Sequence, residues 1–171
     1  MKLVQLKNIV NGFASIDFAS IDMNAVLKEG NIELLQGKIF KWNMSTGDKI
    51  SDCPFYIGVM PIFDTNKLSA IIKSLDVKTA TFEVEGRNYT IISAPHFNGP
   101  IIDRKASEMR TFRNGKVMSI KKYVFNAGFD YPTIFTPEEF VLATFCVSDV
   151  AQRFLSCHFS QLQFLECIVN D

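Results

Sequence analysis

The sequence predicts an α+β fold of mainly antiparallel sheet, with two strand–helix–strand units and hairpins. Three observations predict it. The residues Leu68, Ile71, Ile72 and Leu75 have the i, i+3, i+4, i+7 spacing of a helix with one apolar face. The same spacing returns at Ala151, Phe154, Leu155 and His158, again between two β-rich runs. Between the two stripes lie alternating runs broken by Gly86 and by Asn114-Gly115, which read as hairpins.

At 171 residues, 47% hydrophobic and 21% charged, the chain is expected to form a single α+β domain over 1–171. Residues 1–53 are its least regular part and read as a small β subregion. Lys2 to Val10 is one strand there and Gly37 to Trp42 another. Between them, FASIDFASID (13–22) is a perfect tandem pentapeptide. Five residues put the copies on opposite faces of a strand, or about 140° apart on a helix turning ~100° per residue. Neither element gives both copies one environment, so the repeat reads as a coincidence in a turn-rich stretch.

The run PFYIGVMPIF (54–63) leads to the first helix, where Asp64 or Thr65 can accept the unpaired first-turn amides. TATFEVEGRNYTIIS (79–93) then forms a hairpin around Gly86. RTFRNGKVMSIKKYVF (110–125) forms a second, with Asn114-Gly115 supplying the two positive φ angles of a type I′ turn. In FTPEEF (135–140), Thr136 caps a helical turn, Pro137 opens it, and Glu138 and Glu139 favour the positive end of its dipole. Thr144 to Val147 is a strand, Ser148 or Asp149 caps the second helix, and LQFLECIV (162–169) closes the unit as a strand.

Eighteen basic residues balance eighteen acidic ones, so nothing global favours nucleic acid or an anionic membrane. The balance is uneven locally. Residues 101–123 carry Arg104, Lys105, Arg110, Arg113, Lys116, Lys121 and Lys122 against Asp103 and Glu108 alone. Residues 126–149 carry Asp130, Glu138, Glu139 and Asp149 and no Lys or Arg. Such neighbouring segments are expected to pair or to face solvent. The start, MKLVQLKNIV, is interrupted by polar residues, and no window approaches the ~18 apolar residues of a membrane span. The expected compartment is the cytoplasm, with all four cysteines as free thiols.

The stretch FCVSDVAQRFLSCHFS (145–160) concentrates reactive side chains. Cys157 and His158 are neighbours, so on a helix they point ~100° apart and chelate one ion poorly. Cys146 and Cys157 read as small packing residues. Cys-x-x-Cys pairs, a G-x-S-x-G elbow and phosphate-binding glycine motifs are all missing. No catalytic residue, metal or cofactor is therefore expected. His158 takes the stripe position of Leu75, at the edge of the core with one polar contact, and His96 reads as a solvated loop residue. The alternative is a small ligand-binding domain or minor hydrolase using His96 or His158. It requires one histidine to meet Cys53, Asp103 or Asp149. The basic hairpin offers Phe112 and Tyr123 for stacking on nucleic acid, but charges guarding an edge strand are the preferred reading.

The order of motifs carries a resemblance. The helix PIFDTNKLSAIIKSLDV leads to FEVEGRNYTII, IIDRKASE, VMSIKKYVF, a TIF turn and finally FCVSDVAQRFLSCHFSQLQFLE. This series resembles the bacterial immunity proteins of polymorphic toxin systems, immunity family 11, over roughly Pro54 to Phe164. Asp103 and Ser107 match that family's middle Asp-x-x-x-Ser segment. Val147, Ser148 and Asp149 match its closing unit, and Leu162 and Phe164 the end of it. Ser160 or Gln161 stands where the family has a glycine, and Asp64-Thr65 where it has serine.

The resemblance implies a non-enzymatic protein that neutralises a cognate toxin, encoded by an adjacent gene, by binding it, with no nucleic-acid or membrane partner. Phe129, Asp130 and Tyr131 have the aromatic-plus-charge composition of an interface hot spot. With Glu138 and Glu139 they are the candidate partner-binding residues.

Overall fold

Two units of identical construction organise the chain. The computed structural model describes residues 2–9, 11–56 and 59–170; Val10, expected to end the first strand, and Ile57 and Gly58 of the run before the first helix lie outside them. The N-terminal part holds β1 (Leu3–Asn8), β2 (Gly12–Phe13), β3 (Ser15–Ile16), helix α1 (Met23–Glu29), β4 (Ile39–Phe40), β5 (Trp42–Asn43) and β6 (Gly47–Lys49). Next come β7 (Phe55–Tyr56), β8 (Met60–Asp64), α2 (Thr65–Ile72), β9 (Lys78–Val84), β10 (Arg87–Ser93) and β11 (His96–Phe97). The last part holds β12 (Glu108–Thr111), β13 (Val117–Lys122), β14 (Val124–Asn126), β15 (Ile134–Pro137), β16 (Thr144–Val147), α3 (Ser148–Ser156) and β17 (Leu162–Asn170).

In the first unit, β8–α2–β9, strand β10 lies between β8 and β9 and runs antiparallel to both, with Tyr89 opposite Asp64 and Phe82. In the second, β16–α3–β17, β1 takes that place, with Val4 opposite Cys146 and Glu166. The middle strand of one unit follows through a tight turn; that of the other comes from the opposite end of the sequence. The repeated pattern is thus a repeated structure. The units lie in a five-stranded sheet, β4-β9-β10-β8-β7, and a six-stranded one, β11-β15-β16-β1-β17-β14. The parallel contacts, β4–β9, β11–β15, β14–β17 and β2–β6, involve only two or three residue pairs each. The fold is α+β and mostly antiparallel, as expected, with short parallel additions at its edges.

Strands β8, β10, β15 and β16 are largely buried on both faces, so neighbouring residues on them enter different cores. Phe63, Ile92, Val4, Ile134 and Cys146 join Leu68 and Ile71 of α2, Leu75 of the turn after it, and Val150, Ala151 and Phe154 of α3. Ile62, Ile91, Phe82 and Tyr89 face the other way, onto Phe18, Val26, Leu35, Phe40 and Trp42. Leu3, Phe135 and Phe145 face a third cluster with Tyr123, Phe125 and Tyr131. The stretch after β1, residues 12–49, therefore forms a cover for the five-stranded sheet, and its own ladders pair two residues each.

Local signals explain most element ends. Asp64 accepts the amides of Asn66 and Lys67 at 2.9 and 3.3 Å and caps α2. Helix α1 was not expected: at seven residues it is too short to display a stripe, although Asp22 caps it and Gly30, at φ 69°, ends it. The tandem repeat resolves into unlike halves, with Phe13 half-buried in β2 and Phe18 in the core. Its two aspartates still act alike, Asp17 accepting from Ala19 and Asp22 from Asn24.

Four expectations are corrected. Neither Ser148 nor Asp149 caps α3: Val147 holds the cap position, the Ser148 amide donates to Lys2 at 3.1 Å, and Asp149 is exposed in the first turn. The buried face of α3 is Val150, Ala151 and Phe154, while Leu155 is 46% exposed. His158 is exposed at φ 50°, beyond the helix end, because α3 stops at Ser156. Thr136 caps nothing; Pro137 ends β15 and precedes a 3₁₀ turn over Glu138–Phe140.

The loop before β7 ties the units together. Asp52 accepts from the Lys67 ammonium of α2, and from the Ser160 amide and hydroxyl at 2.9 and 2.7 Å. Burial works to raise the Asp52 carboxyl, but the bonds from Lys67 and Ser160 outweigh it and hold the group below its usual value. A carboxylate depressed by folding stabilises above its unfolded value of ~3.9, and that stability is lost as pH falls through the lower folded value. Asp52→Asn is therefore expected to melt below the unmodified protein at neutral pH, with the gap closing as pH falls below about 4. Thermal melts across that range check this, and a gap constant down to pH 2 would refute it.

Candidate interaction surface

The structure separates the residues expected to contact a partner. Asp130 and Glu138 are exposed and Phe129 is half-buried. Tyr131 is 6% exposed and belongs to the third core, with Phe135, Phe97 and Phe125 rings 5.6–5.8 Å away. Its hydroxyl donates to the Asn126 carbonyl, and burial pushes the phenol up to about 12. Glu139 is occupied internally: one oxygen accepts the Ile102 amide at 3.0 Å, and the other accepts Arg104 Nε and Nη2 at 3.3 and 3.1 Å. Tyr131 and Glu139 are thus held within the fold, while Asp130 and Glu138 are exposed and Phe129 half-buried. Arg104–Glu139 is also the ion pair that joins the basic and acidic segments.

What projects instead is the hairpin β12–β13, a two-stranded ribbon pairing with neither main sheet. From Glu108 to Lys122 no residue is buried. The register places Glu108 opposite Lys122, Met109 opposite Ile120, Arg110 opposite Ser119 and Thr111 opposite Val117, with two irregularities. Its tip differs from expectation. Gly115 has φ 80° but Asn114 does not have a positive φ, so this is not a type I′ turn. Gly115 N–H donates to Phe112 and Phe112 N–H to Lys116, at 2.9 and 2.8 Å. That pattern is a three-residue loop closed by a left-handed glycine, which suits a ladder containing bulges. The two positive φ angles occur at Glu85 and Gly86, in the turn joining β9 to β10.

The base of the ribbon is held by the two residues of the middle motif. Ser107 Oγ accepts the Val124 amide at 3.0 Å and donates to the Val124 carbonyl at 3.3 Å, in a buried setting. Asp103 accepts the amides of Lys105 and Ala106 at 3.0 Å each, and Asn170 Nδ2 at 2.9 Å. The Ala106 amide foremost, with those of Lys105 and Asn170, keeps the Asp103 carboxyl below its usual value. Val124 begins β14, which pairs with β17. A two-stranded ribbon is marginal by itself in water, so this clamp is what sets its position.

Tyr123, considered for nucleic-acid stacking, is 4% exposed and packs on Phe145 with ring centroids 4.7 Å apart. Phe112 and Met118 are the exposed large apolar residues of the ribbon, at 51% and 46%. Both strands of the ribbon are edge strands, so its charges fit the expected guarding of an edge, though of a sheet of its own.

The histidines meet no catalytic partner among the described residues. His96 is exposed on β11, at an open cleft of about 400 Å³ shared with Asp76, Lys78 and Ser93. His158 contributes its carbonyl, which accepts Lys67 Nζ at 3.2 Å. Neither imidazole is bonded to Cys53, Asp103 or Asp149. The four cysteines are free thiols. Burial raises the Cys53 thiol well above its usual value and pushes Cys146 to about 12, opposite to what a nucleophilic thiolate needs. Among the described residues, no three His, Cys, Asp or Glu side chains gather as a metal site, and no helix is long and apolar enough to cross a membrane. The chain matches no protein-family model, and no curated protein matches it.

Proposed function

We propose that this chain is a protein-binding protein that neutralises a cognate toxin, of the immunity type its motifs resemble, and that the β12–β13 ribbon is its contact surface. The observation that carries this reading is a fifteen-residue excursion, 108–122, without a buried residue, clamped through buried bonds at Ser107. Holding an exposed ribbon in place costs backbone entropy of about 1–2 kcal/mol per residue. Within the free molecule the apolar packing that offsets that cost is partial, with Ile120 against the third core and Met109 and Val117 half-buried, so a further gain is expected on contact with a partner. Asp103 and Ser107, matched on the motif, fit this reading as positioning residues.

The test is co-expression in bacteria with the large protein encoded by the adjacent gene. Protection from that protein's toxicity and recovery of a complex of the two chains are expected. A toxic neighbour that is neither bound nor neutralised would refute the proposal.

A further inference from the structure

The geometry of the ribbon points to the chemistry of its partner: we infer that Arg110, Arg113, Phe112 and Lys116 dock on an acidic protein surface with an apolar depression. The inference rests on the reading of this chain as a protein-binding protein. Five cations (Arg110, Arg113, Lys116, Lys121, Lys122) and one acid, Glu108, leave 108–122 at +4. The chain as a whole is neutral, so the rest carries −4 and the charge is segregated onto the ribbon. Glu108 pairs with Lys121 at 3.0 Å. The other four cations have no ion pair among the described residues.

Two features favour a protein over a nucleic acid. Single strands are held by several rings on which successive bases stack, and here Phe112 is the one ring exposed on the ribbon. The −4 of the remaining chain also opposes a polyphosphate, which would extend beyond a ribbon about 20 Å long at ~3.3 Å per residue. Protein contacts are instead enriched in arginine, methionine and aromatic residues at their centre. Phe112 and Met118 stand exposed among arginines whose forked guanidinium groups match carboxylates in pairs.

There is a mechanistic consequence. A phosphate-binding cleft is basic and would repel this ribbon. The ribbon therefore meets the toxin on an acidic face, away from any such cleft.

The test compares the full chain with Arg110→Glu/Arg113→Glu/Lys116→Glu and with Phe112→Ala, titrated against the purified protein of the adjacent gene. The altered side chains are exposed, so the melting temperature is expected to hold. If the reversed variant fails to fold, Arg113→Gln/Lys116→Gln replaces it. Reversal is expected to weaken binding by roughly 100-fold or more and Phe112→Ala by roughly 10-fold. Affinity of the unaltered chain should fall as salt rises. Unchanged binding by the reversed variant overturns the inference and the ribbon as contact surface, and leaves standing that the chain binds and neutralises a toxin. Tight binding of 20-nucleotide single- or double-stranded DNA that reversal abolishes also overturns it, in favour of a nucleic-acid partner. Absence of binding and of protection by the unaltered chain overturns both.

Discussion

Phe63→Ala is expected to destabilise the protein by about 3–5 kcal/mol, the range for emptying a fully enclosed aromatic site. Phe63 leaves β8 with no exposed surface, and its ring stacks on Phe154 at 5.1 Å and 25°. Phe159 lies 4.8 Å away and Phe55 6.3 Å. The first of these contacts joins a strand of one unit to the helix of the other, so the cavity opens where the two sheets share their core. Domains are stable by only ~5–15 kcal/mol, and each kcal/mol is worth about 2–4 °C at this size. The melting midpoint should fall by roughly 6–20 °C. Circular dichroism melts check it, with Phe112→Ala as the comparison, because an exposed substitution should stay within ~0.5 kcal/mol. A loss below about 1 kcal/mol for Phe63→Ala would show that the two units do not depend on this contact.

Phe125→Ala should cost a similar ~3–5 kcal/mol and should loosen the ribbon as well. Phe125 is fully buried, with Phe145 at 4.9 Å, Tyr131 at 5.8 Å, and Phe135 and Tyr123 at 6.1 Å. It stands next to Val124, whose amide the Ser107 hydroxyl accepts. It also stands next to Asn126, whose carbonyl holds the Tyr131 hydroxyl and whose side chain bonds to Pro100 at 2.7 Å. Removing the ring releases the strand from which the ribbon is hung. Well below its melting point, Phe125→Ala should lose hydrogen-exchange protection at Val124, while Phe63→Ala, in a different core, should keep it. Equal protection at Val124 in both variants would mean that the clamp does not depend on the aromatic floor.

The contrast between α2 and α3 shows how far periodicity can be read. The stripe Leu68, Ile71, Ile72 and Leu75 starts on a capped helix that ends at Ile72, and three of those residues are buried, Leu75 from the turn that follows, with Ile72 half-buried. The matching stripe on α3 has the right helix and half the right face. Both helices end in the same tightened turn, the Leu75 and His158 amides each bonding back over three residues, but His158 then takes φ 50° and is exposed. Tyr131 and Glu139 show a different limit. An aromatic residue beside an acid reads the same whether it awaits a partner or already has one, and here the partners are the Asn126 carbonyl, the Ile102 amide and Arg104. The ribbon's residues were visible as a basic hairpin; that it stands apart from both sheets was not.

The sequence by itself determined the α+β class, the two strand–helix–strand units, the Asp64 cap and both hairpins, because each rests on interactions among residues a few positions apart. The tertiary structure alone decided that β1 completes the second unit, that Ser107 and Asp103 clamp the ribbon's base, and that 108–122 forms a sheet of its own in which four of five cations make no ion pair among the described residues. Those outcomes join residues 17 to more than 150 positions apart. Their energy comes from burial and bonds formed only once the chain has closed on itself, which no local pattern of residue types encodes.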